Sequence, residues 1–449
     1  MTLRITPYWW EHTQSLAPNG GWIEPVQPLP HNVDVVIVGA GLTGTAAAHE
    51  LATAGRTVYA LDAGIPGSGA SSRNAGMIGR YLKHSFSELM ESRGLDIAHR
   101  YFSELRDAYD QCVNRITSEG LDCDFHKSGR FVGAASEKQR DAMFHDWELR
   151  AKYLNDEVEF VAHSDDEIGQ GLYHGGIRIL ENGKINPARY VEAMRRRAER
   201  AGASIIGNTP VTSISGNAVD GFEITTPRGK ILARDVLIAT NGYSAKTAAV
   251  PAIAARLAPI NATMIATEPL PQQLLASLWP RNRTYHDSRR DANYMQVSPD
   301  GKRLLFGGRT GLHRTPDAAT AEALRREMVI LFPQLRDAAV DFVWTGKCAA
   351  TVDLFPHVGM HRGMNYALGY CFSGNAMAPY LGVKAAKRIL GAPDAKTVFQ
   401  QDKLPKMPWP ARQEWAMPAV IHYYRWADRP TRVPAPTPTV PPSTPGVAG

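Results

Sequence analysis

Residues 34–64 read DVVIVGAGLTGTAAAHELATAGRTVYALDAG, and this stretch decides the fold. Three glycines, Gly39, Gly41 and Gly44, have the spacing G-x-G-x-x-G and stand between an apolar run and an alanine-rich run. In such a turn the first glycine permits a tight bend, the second lets the backbone approach a pyrophosphate, and the third lets a helix pack on a strand. The spacing therefore predicts a strand, a phosphate-binding turn and a helix.

The context of this turn supports the same interpretation. Asp34–Val38 predicts a strand, Thr45–Ala54 predicts a helix that Gly55 ends, and Arg56–Leu61 predicts a second strand. Asp62 follows, at the position where a carboxylate accepts ribose hydroxyls and repels the 2′-phosphate of NADP. The helix N-terminus adds free N–H groups and a positive dipole for phosphates. A dinucleotide site is predicted; the alternative is a Rossmann-like unit whose glycines serve packing alone.

Two later features favour FAD over NAD. Residues 69–79, GASSRNAGMIG, come directly after the acidic strand, and such small, hydrogen-bonding side chains suit a loop lying against a flavin and its pyrophosphate. Asp235–Asn241 is a predicted strand that ends in a turn where backbone can approach a dinucleotide. An NAD dehydrogenase would usually complete a six-stranded unit before its catalytic domain begins. The order of these segments therefore favours FAD.

A predicted helix near the C-terminus follows another glycine-flanked turn. Tyr366–Leu368 predicts a strand, Gly369–Gly374 a turn and Ala376–Leu390 a helix. Asn375 is expected to cap this helix through its side chain. Pro379 is expected in the first turn of the helix, where its missing N–H costs little.

The composition is that of an ordinary globular protein. The chain has 449 residues, 44% of them hydrophobic and 21% charged, with a formal net charge of +6. These values exclude collagen-like, disordered and disulfide-scaffold classes for the whole chain and do not favour a nucleic-acid partner. The four cysteines lack zinc-finger spacing, the N-terminus lacks the apolar core of a secretory signal, and the longest uncharged stretch is a poor membrane span. A cytoplasmic protein without a bound metal or an integral membrane segment is predicted.

Strands and helices alternate and then give way to a strand-rich stretch, which predicts an α/β fold. We predict a Rossmann-like FAD-binding domain interleaved with an α+β substrate domain that contains a mostly antiparallel sheet. A helical region is predicted from about 87 to 118, and the N-terminal arm is expected to pack on the surface through its tryptophans. The predicted boundaries are 1–32 for the arm, 33–83, 184–250 and 345–392 for the FAD-binding domain, 84–183 and 251–344 for the substrate domain, and 393–449 for a proline-rich tail.

These motifs resemble those of the D-amino-acid oxidase/glycine oxidase (DAO-type) superfamily of FAD-dependent oxidoreductases. The resemblance is strongest to the γ-glutamylputrescine oxidase-like branch. The matching segments are spread over residues 8–391 and occur in the family's order. They are YWW at 8–10, the strand–turn–helix within 33–64, ASSRNAGM, NPARYVEAM at 186–194, IATNGYS, RLLFGGRTG, WTGKCAATVDLFPHVG and GYCFSGNAMAPYLGVKAAKRILG.

The resemblance implies oxidative deamination of an amine or amino acid. A hydride leaves the amine carbon for flavin N5, the imine hydrolyses in water, and O2 reoxidises the flavin to give H2O2. The late helix would direct its N-terminus at the edge of the flavin that becomes negative on reduction. The family's cofactor-binding residues would be Gly39, Gly41, Leu42, Thr43, Gly44, Asp62, Ala63, Ser71, Ser72, Arg73, Asn74, Gly76, Met77, Val211, Thr240, Asn241, Gly242, Cys348, Gly374, Asn375, Ala376 and Met377.

Two alternatives to an oxidase stay open. A dehydrogenase of the same fold would pass its electrons to a quinone or a protein carrier. A flavoprotein with a binding or assembly role would use the proline-rich tail as a docking segment. The substrate and the oligomeric state are not determined by any of these motifs.

Cys348 is the candidate for covalent attachment of FAD. Some amine-oxidising relatives hold the flavin through a cysteine on the strand before the final loop, with a threonine three residues later, and Cys348 and Thr351 have that spacing. Lys347 would help to lower the pKa of the thiol if it faced the same way, although adjacent strand residues point oppositely. Most free cysteines are buried and unreactive, so noncovalent FAD is favoured.

Candidate substrate-site residues are Tyr294, Arg309 and His84. The first two lie on or beside predicted strands of the substrate sheet, and His84 follows the flavin loop together with Arg80 and Lys83. For these last three, an exposed surface loop is the alternative. Relatives that act on small amino acids often have a lysine after the final glycine turn, and this chain has no cation there. An amine without a carboxylate beside the nitrogen is therefore favoured, and its deprotonated form needs no general base.

Histidine and lysine positions elsewhere carry weaker signals. His286 and Asp287 are a candidate acid–base pair, although sequence neighbours on a loop are more often exposed. His357 and His361 have i, i+4 spacing, but the proline and glycine between and beside them argue against a helix and a metal pair. On the predicted strand Tyr294–Ser298 we assign no lysine for oxygen activation.

Overall fold

The structure is a computed structural model, and it describes residues 2–17, 22, 28–162, 167–168, 172–308, 315–408 and 417–427. Short 3-10 helices occur at Tyr8–His12, Asn241–Lys246, Pro333–Leu335 and Pro393–Ala395. The α-helices are α1 (Leu42–Thr53), α2 (Ala70–Arg73), α3 (Phe86–Arg93), α4 (Leu95–Ser118), α5 (Glu137–Leu154), α6 (Pro187–Arg200), α7 (Pro251–Ala254), α8 (Gln272–Leu278), α9 (Ala318–Leu331), α10 (Gly374–Ile389) and α11 (Met417–Ala427).

The strands fall into two large sheets and one small two-stranded sheet. They are β1 (Asn32–Val38), β2 (Val58–Leu61), β3 (Met77–Ile78), β4 (Arg130–Gly133), β5 (Glu159–Val161), β6 (Gly176–Ile179), β7 (Gly183–Lys184), β8 (Ser204–Ile206), β9 (Ser213–Asn217), β10 (Gly221–Thr226), β11 (Gly229–Ile238), β12 (Ala258–Thr267), β13 (Thr284–Asp287), β14 (Tyr294–Val297), β15 (Leu304–Gly308), β16 (Val340–Ala350), β17 (His357–His361) and β18 (Met364–Leu368).

The first large sheet has the strand order β17-β18-β11-β1-β2-β8. The pairs from β18 to β8 are parallel, β17 is antiparallel to β18, and the β9–β10 hairpin joins β11. Val36 and Ile37 of β1 are fully buried because helices and loops cover both faces of the parallel core. Helices α1 and α10 lie against each other, with the backbone of Thr43 close to Gly382. This is the predicted Rossmann-like unit.

The second large sheet has the strand order β16-β12-β15-β14-β13-β4-β6-β5. Its pairings are antiparallel except for β13 with β4, which confirms a mostly antiparallel sheet. Side chains on one face form a separate apolar core under α9, and they include Phe131, Tyr285, Met295, Phe306 and Val343. The opposite face lies towards the first sheet. Together the two sheets confirm the predicted α/β fold class.

The predicted helical region from about 87 to 118 is confirmed as α3 and α4, which are divided at Gly94, where φ is +87°. The prediction for the N-terminal arm was wrong. The N-terminal arm does not rest on the surface, since Tyr8 and Trp9 are 2% and 0% exposed. Burying such large aromatic side chains is strongly favourable when the indole N–H also finds an acceptor, and Trp9 donates to the Asn74 carbonyl at 2.9 Å.

The domain boundaries stay a prediction. Strand β16 crosses the boundary proposed between residues 344 and 345, because it pairs with β12 from Val340 to Ala350. Residues 409–416 and 428–449 of the predicted proline-rich tail, 393–449, lie outside the described residues. Within the described ranges, no helix combines the length and the apolar character needed to cross a bilayer.

Candidate active site

The glycine turn has the steric design that its spacing predicts. Gly39 has φ +102°, a conformation that favours glycine, and a Cβ at Gly44 would lie 2.0 Å from the Gly39 carbonyl oxygen. A Cβ at Gly39 would also lie 2.9 Å from the carbonyl oxygen of Ala239 at the end of β11. Only glycine therefore lets β1, α1 and β11 approach this closely.

Asp62 lies directly after β2 and closes the other side of the turn. Its carboxylate accepts the backbone N–H of Ala40 at 2.8 Å and that of Gly64 at 3.1 Å. Burial raises the pKa of Asp62, and these N–H donors act in the opposite direction. Ser71 accepts the N–H of Leu42 at 3.0 Å, so a hydroxyl from the next loop stands at the start of α1. Backbone donors and hydroxyls therefore converge at this end of the first sheet.

The 69–79 loop is held by three tryptophan side chains. Trp9 donates to the Asn74 carbonyl at 2.9 Å, Trp10 donates to the Ser72 hydroxyl at 3.0 Å, and Trp344 donates to the Arg73 carbonyl at 2.9 Å. The Arg73 guanidinium also lies 4.4 Å from the centre of a Trp10 ring. No local sequence pattern marks this arrangement, because the three indoles come from opposite ends of the chain.

Asn375 joins the final helix to the same loop. Its side-chain amide donates to the Asn74 Oδ1 at 3.0 Å and to the Met77 carbonyl at 2.9 Å, while Asn74 Oδ1 also accepts the N–H of Gly76. The prediction that Asn375 caps α10 was wrong: α10 begins at Gly374 after Ser373, and Asn375 is its second residue. Asn375 lies inside the helix rather than at its N-cap position, and its amide nitrogen bridges to the loop.

Pro379 also lies deeper in α10 than predicted, as the sixth residue from Gly374. Because proline has no N–H, the carbonyl of Asn375 loses its usual helical donor. The thiol of Cys112 donates to that carbonyl at 3.6 Å, which replaces the missing bond. Cys112 thus has a structural role.

The backbone is sharply bent in two places at this site, at the start of the 3-10 helix Asn241–Lys246 and in the turn before α10. Asn241 has φ +39° and accepts the N–H of Gly369 through its side chain at 2.9 Å, while a Cβ at Gly242 would lie 2.4 Å from the Lys347 carbonyl oxygen. Cys371 and Phe372 have φ of +40° and +75°, two successive non-glycine residues in the left-handed region. Such strain is held by the surrounding structure and clusters at functional sites.

One face of the second sheet points at the 69–79 loop, and strand register identifies it. Arg130 of β4 lies opposite Thr284 of β13, and His286 lies opposite Tyr294 of β14. Because alternate residues share a face, these four side chains point the same way. Gln296, two residues beyond Tyr294, donates to the Ala75 carbonyl. We call this face, with Trp344 of β16, the site face.

The site face carries positive charge. Arg130 is 7% exposed and donates to Thr284 Oγ1 at 3.3 Å and to the Ile78 carbonyl at 3.4 Å. Burial, together with Arg130 and Lys83, lowers the pKa of His286 to about 4, so its ring is neutral at neutral pH. Asp287 points to the opposite face and pairs with Arg289. His286 and Asp287 therefore do not form the acid–base pair considered from sequence, and neither lies on an exposed loop.

The proposed substrate residues have different environments. Tyr294 is half-buried on the site face, and its hydroxyl donates to the Thr263 carbonyl at 3.3 Å. His84 is bound to the Asp353 carbonyl at 2.8 Å and stacks on Phe355 at 4.6 Å. Arg80 forms ion pairs with two carboxylates and is a structural residue. Arg309 lies outside the described residues.

Cys348 is half-buried on β16, and its thiol donates to the Ile260 carbonyl at 3.4 Å. Burial raises the pKa of this thiol well above its ordinary range, and Cys371 acts in the same direction while Lys83 opposes both. A raised pKa disfavours the thiolate that flavin attachment requires. Lys83, not the sequence neighbour Lys347, is the cation that acts on the thiol.

The remaining predicted cofactor residues lie around the same turn or behind it. Thr240 shares a hydrogen bond of 2.7 Å with Ser244, and Thr43 shares one of 2.7 Å with Tyr370. Ala63 is exposed, whereas Val211 and Met377 are 5% and 1% exposed and pack in apolar cores. Contact of this last pair with a cofactor would have to be through backbone atoms.

The residues present fit a flavin. The Asn375 Oδ1 atom is buried and has no hydrogen-bond partner among the described residues, and a Cβ at Gly374 would meet no heavy atom within 4 Å. A free acceptor beside open space at a helix N-terminus suits a polar ring that offers an N–H donor. The glycine turn and Asp62 suit the adenosine and pyrophosphate of the same cofactor.

Comparisons with known proteins agree with this geometry. The family described as "FAD dependent oxidoreductase" (DAO) matches residues 34–388. A probable oxidoreductase OrdL from Rhizobium meliloti is 30% identical over 94% of this chain and 97% of its own length. The gamma-glutamylputrescine oxidoreductase of Escherichia coli is 27% identical over 93% of this chain and 99% of its own. The crystal structure of glycine oxidase from Geobacillus kaustophilus has the same fold, with a TM-score of 0.66 and 23% identity over 82% of this chain and 97% of that one.

Proposed function

Because this chain belongs to the FAD dependent oxidoreductase (DAO) family, we propose that it catalyses the oxidative deamination of an amine or amino acid and uses O2 as its electron acceptor. The family is FAD-dependent, so FAD is the cofactor. Bound FAD supplies an acceptor for the hydride that leaves the amine carbon, and the imine product hydrolyses in water. The relatives named gamma-glutamylputrescine oxidoreductase and glycine oxidase support a small nitrogen-containing substrate.

The observation that carries the proposal is the shared anchoring of the 69–79 loop. Ser71 of this loop reaches the start of α1, Asn375 ties it to α10, and Gln296 and Trp344 tie it to the site face. The loop therefore stands where the dinucleotide turn, the final helix and the second sheet meet. A substrate lying between the loop and the site face would be next to a flavin held by the first sheet.

The side chains of the site face would position the substrate rather than exchange protons with it. His286 is neutral at neutral pH because of burial and its cationic neighbours, so it adds no charge that would repel an amine. Tyr294 is fixed by its bond to the Thr263 carbonyl. Deprotonated amine is the form that releases hydride, so the reaction needs no strong base.

The first test is an anaerobic bleaching screen of the purified holoprotein across amines and amino acids, followed by peroxide measurement in air. Bleaching with peroxide production supports the oxidase. Bleaching without peroxide favours the dehydrogenase with a separate carrier, and a flavin that no amine reduces favours the non-catalytic flavoprotein.

A matched pair of variants tests the site face. Tyr294→Phe is expected to slow anaerobic bleaching about fivefold to tenfold, since removal of a positioned hydroxyl costs about 1 kcal/mol. Tyr285→Phe is the control, because Tyr285 is on the neighbouring strand but points into the opposite apolar core. Equal slowing in both variants would contradict a specific role for Tyr294.

A further inference from the structure

The first residues of the N-terminal arm lie along an edge of the second sheet. The Arg4 N–H donates to the Asp341 carbonyl at 2.8 Å, and the Val343 N–H donates to the Arg4 carbonyl at 3.0 Å. Arg4 therefore pairs in parallel with Phe342 of β16, and its guanidinium lies 3.8 Å from the centre of the Phe342 ring. Because β16 is the last strand in the order of this sheet, these bonds occupy an edge that would otherwise be unpaired. We call residues 2–13 the arm segment.

The two tryptophans of the arm segment lie on the 69–79 loop. Trp9 donates to the Asn74 carbonyl at 2.9 Å, and Trp10 donates to the Ser72 hydroxyl at 3.0 Å. The Arg73 guanidinium lies 4.4 Å from the centre of the Trp10 ring. Ser72 is 0% exposed. Three consecutive loop residues are therefore in contact with two adjacent indoles.

The same loop also contacts the dinucleotide turn. Ser71 accepts the N–H of Leu42 at 3.0 Å at the start of α1, and a Cβ at Gly41 would lie 2.7 Å from the Ser71 hydroxyl oxygen. Ser71 and Ser72 are neighbours in α2, yet one hydroxyl meets the glycine turn and the other meets the arm segment. The loop thus lies between the turn and the arm segment. It can move away from a bound dinucleotide only if the arm segment moves first.

The arm segment is held at both ends. One end pairs with β16, and at the other end the Arg189 side chain of α6 donates to the His12 carbonyl at 3.1 Å. Between them Tyr8 and Trp9 are 2% and 0% exposed, and Tyr8 packs edge-to-face on Phe342 with the ring centres 5.6 Å apart. A few hydrogen bonds and aromatic contacts therefore hold the segment closed. Opening of such a segment requires less free energy than unfolding of the sheets on which it lies.

We propose that the arm segment is a strap that controls how fast FAD enters and leaves the protein. In the closed state the strap holds the 69–79 loop on the dinucleotide turn, and exchange of the cofactor requires the strap to leave β16 and α6. Trp10 is a positioning residue of the strap, since it acts on the cofactor through Ser72 and Arg73. FAD is the cofactor of the family, so this property goes beyond the proposed reaction and does not depend on the substrate.

A pair of proline variants tests the strap. Arg4→Pro removes the N–H that donates to Asp341. Ile5→Pro is the matched control, because the N–H of Ile5 has no partner among the described residues and its side chain is 55% exposed. Flavin fluorescence follows FAD loss from the holoprotein and FAD uptake by the full-length flavin-free protein.

Arg4→Pro is expected to speed both FAD loss and FAD uptake about fivefold, because a weaker closed state opens more often, and to change the Kd for FAD less than about twofold. Ile5→Pro is expected to exchange FAD at the wild-type rates. Wild-type rates in Arg4→Pro, or equal acceleration in both variants, would overturn the proposal. Faster loss without faster uptake would also overturn it, since that result indicates a damaged binding site.

A double-mutant cycle tests whether Trp10 acts through Ser72, and it applies even if a proline variant does not fold. Trp10→Phe and Ser72→Ala each remove the same hydrogen bond, so each is expected to speed FAD exchange about fivefold, and the double variant no more than either one. Trp279→Phe is the control, because this buried tryptophan belongs to the apolar core under α9, and it is expected to exchange FAD as wild type does. Unchanged exchange in Trp10→Phe, or effects of the two substitutions that multiply, would overturn the assigned role of Trp10.

Discussion

The end of the first sheet and the site face of the second sheet form one site by opposite means. At the first sheet the decisive groups are backbone atoms: Gly39 and Gly44 leave room for close approach, and N–H groups are the donors. At the site face the decisive groups are side chains, among them Arg130, His286 and Trp344, which lie on three different strands. A backbone site is sensitive to any added atom, whereas a side-chain site is sensitive to lost hydrogen bonds and charges.

The largest effect is expected at the backbone site. Gly44→Ala would place a Cβ 2.0 Å from the Gly39 carbonyl oxygen, so α1 would have to move away from β1. We expect the free energy of unfolding to fall by about 3 kcal/mol or more and the purified protein to lose its flavin. Thermal unfolding and flavin absorbance measure both. Gly64→Ala is the control, since its Cβ would meet Ser68 at an ordinary 3.6 Å. Similar losses in both variants would show that close backbone packing at Gly44 is not the cause.

The junction between the two regions is tested by Asn375→Ala. This change removes both hydrogen bonds from α10 to the 69–79 loop, at Asn74 and Met77. Because these acceptors are part-buried, we expect a loss of about 2 kcal/mol in the free energy of unfolding and weaker flavin retention. Gly374→Ala should leave the stability of the flavin-free protein unchanged, as a Cβ there meets nothing within 4 Å. Unaltered stability of Asn375→Ala would show that the bridge is unimportant.

A pair of buried tryptophans tests whether an indole hydrogen bond stabilises the side-chain site. Trp344 and Trp279 are 0% and 2% exposed, but only Trp344 has an acceptor, the Arg73 carbonyl, whereas the Trp279 indole N–H has none among the described residues. Replacement by Phe leaves a similar cavity in each case. We therefore expect Trp344→Phe to be more destabilising than Trp279→Phe by about 1–2 kcal/mol in chemical denaturation. No difference would mean that the indole bond does not hold the loop.

The smallest effect is expected for pH. Burial, with Arg130 and Lys83, lowers the pKa of His286 to about 4, so the ring is already neutral above about pH 5. Between about pH 6 and 9, kcat/KM should therefore rise only with deprotonation of the substrate amine. His286→Gln should keep the shape of that profile. An inflection near the ordinary histidine pKa that disappears in the variant would show that His286 titrates during catalysis.

The comparison also explains which parts of the site were predictable. The glycine turn, Asp62 and the 69–79 loop were identified from sequence because a single short segment contains the strand, the turn and the acid. Arg130 was missed because nothing near it in the chain marks it as a site residue. Its position next to His286 depends on the pairing of β4 with β13, whose residues are about 150 apart in the chain.

The sequence by itself determined the fold class, the FAD-binding turn and the family, since glycine spacing and hydrophobic periodicity are local and few folds satisfy them. Only the tertiary structure decided which side chains share the site. Trp9 entered the core rather than the surface, Asn375 bridged to a loop rather than capping its helix, and Asp287 turned away from His286. The first two outcomes depend on partners distant in the chain, and the third depends on the pairing of β13 within the second sheet, because burial and hydrogen bonding select among side-chain positions only after the strands have paired.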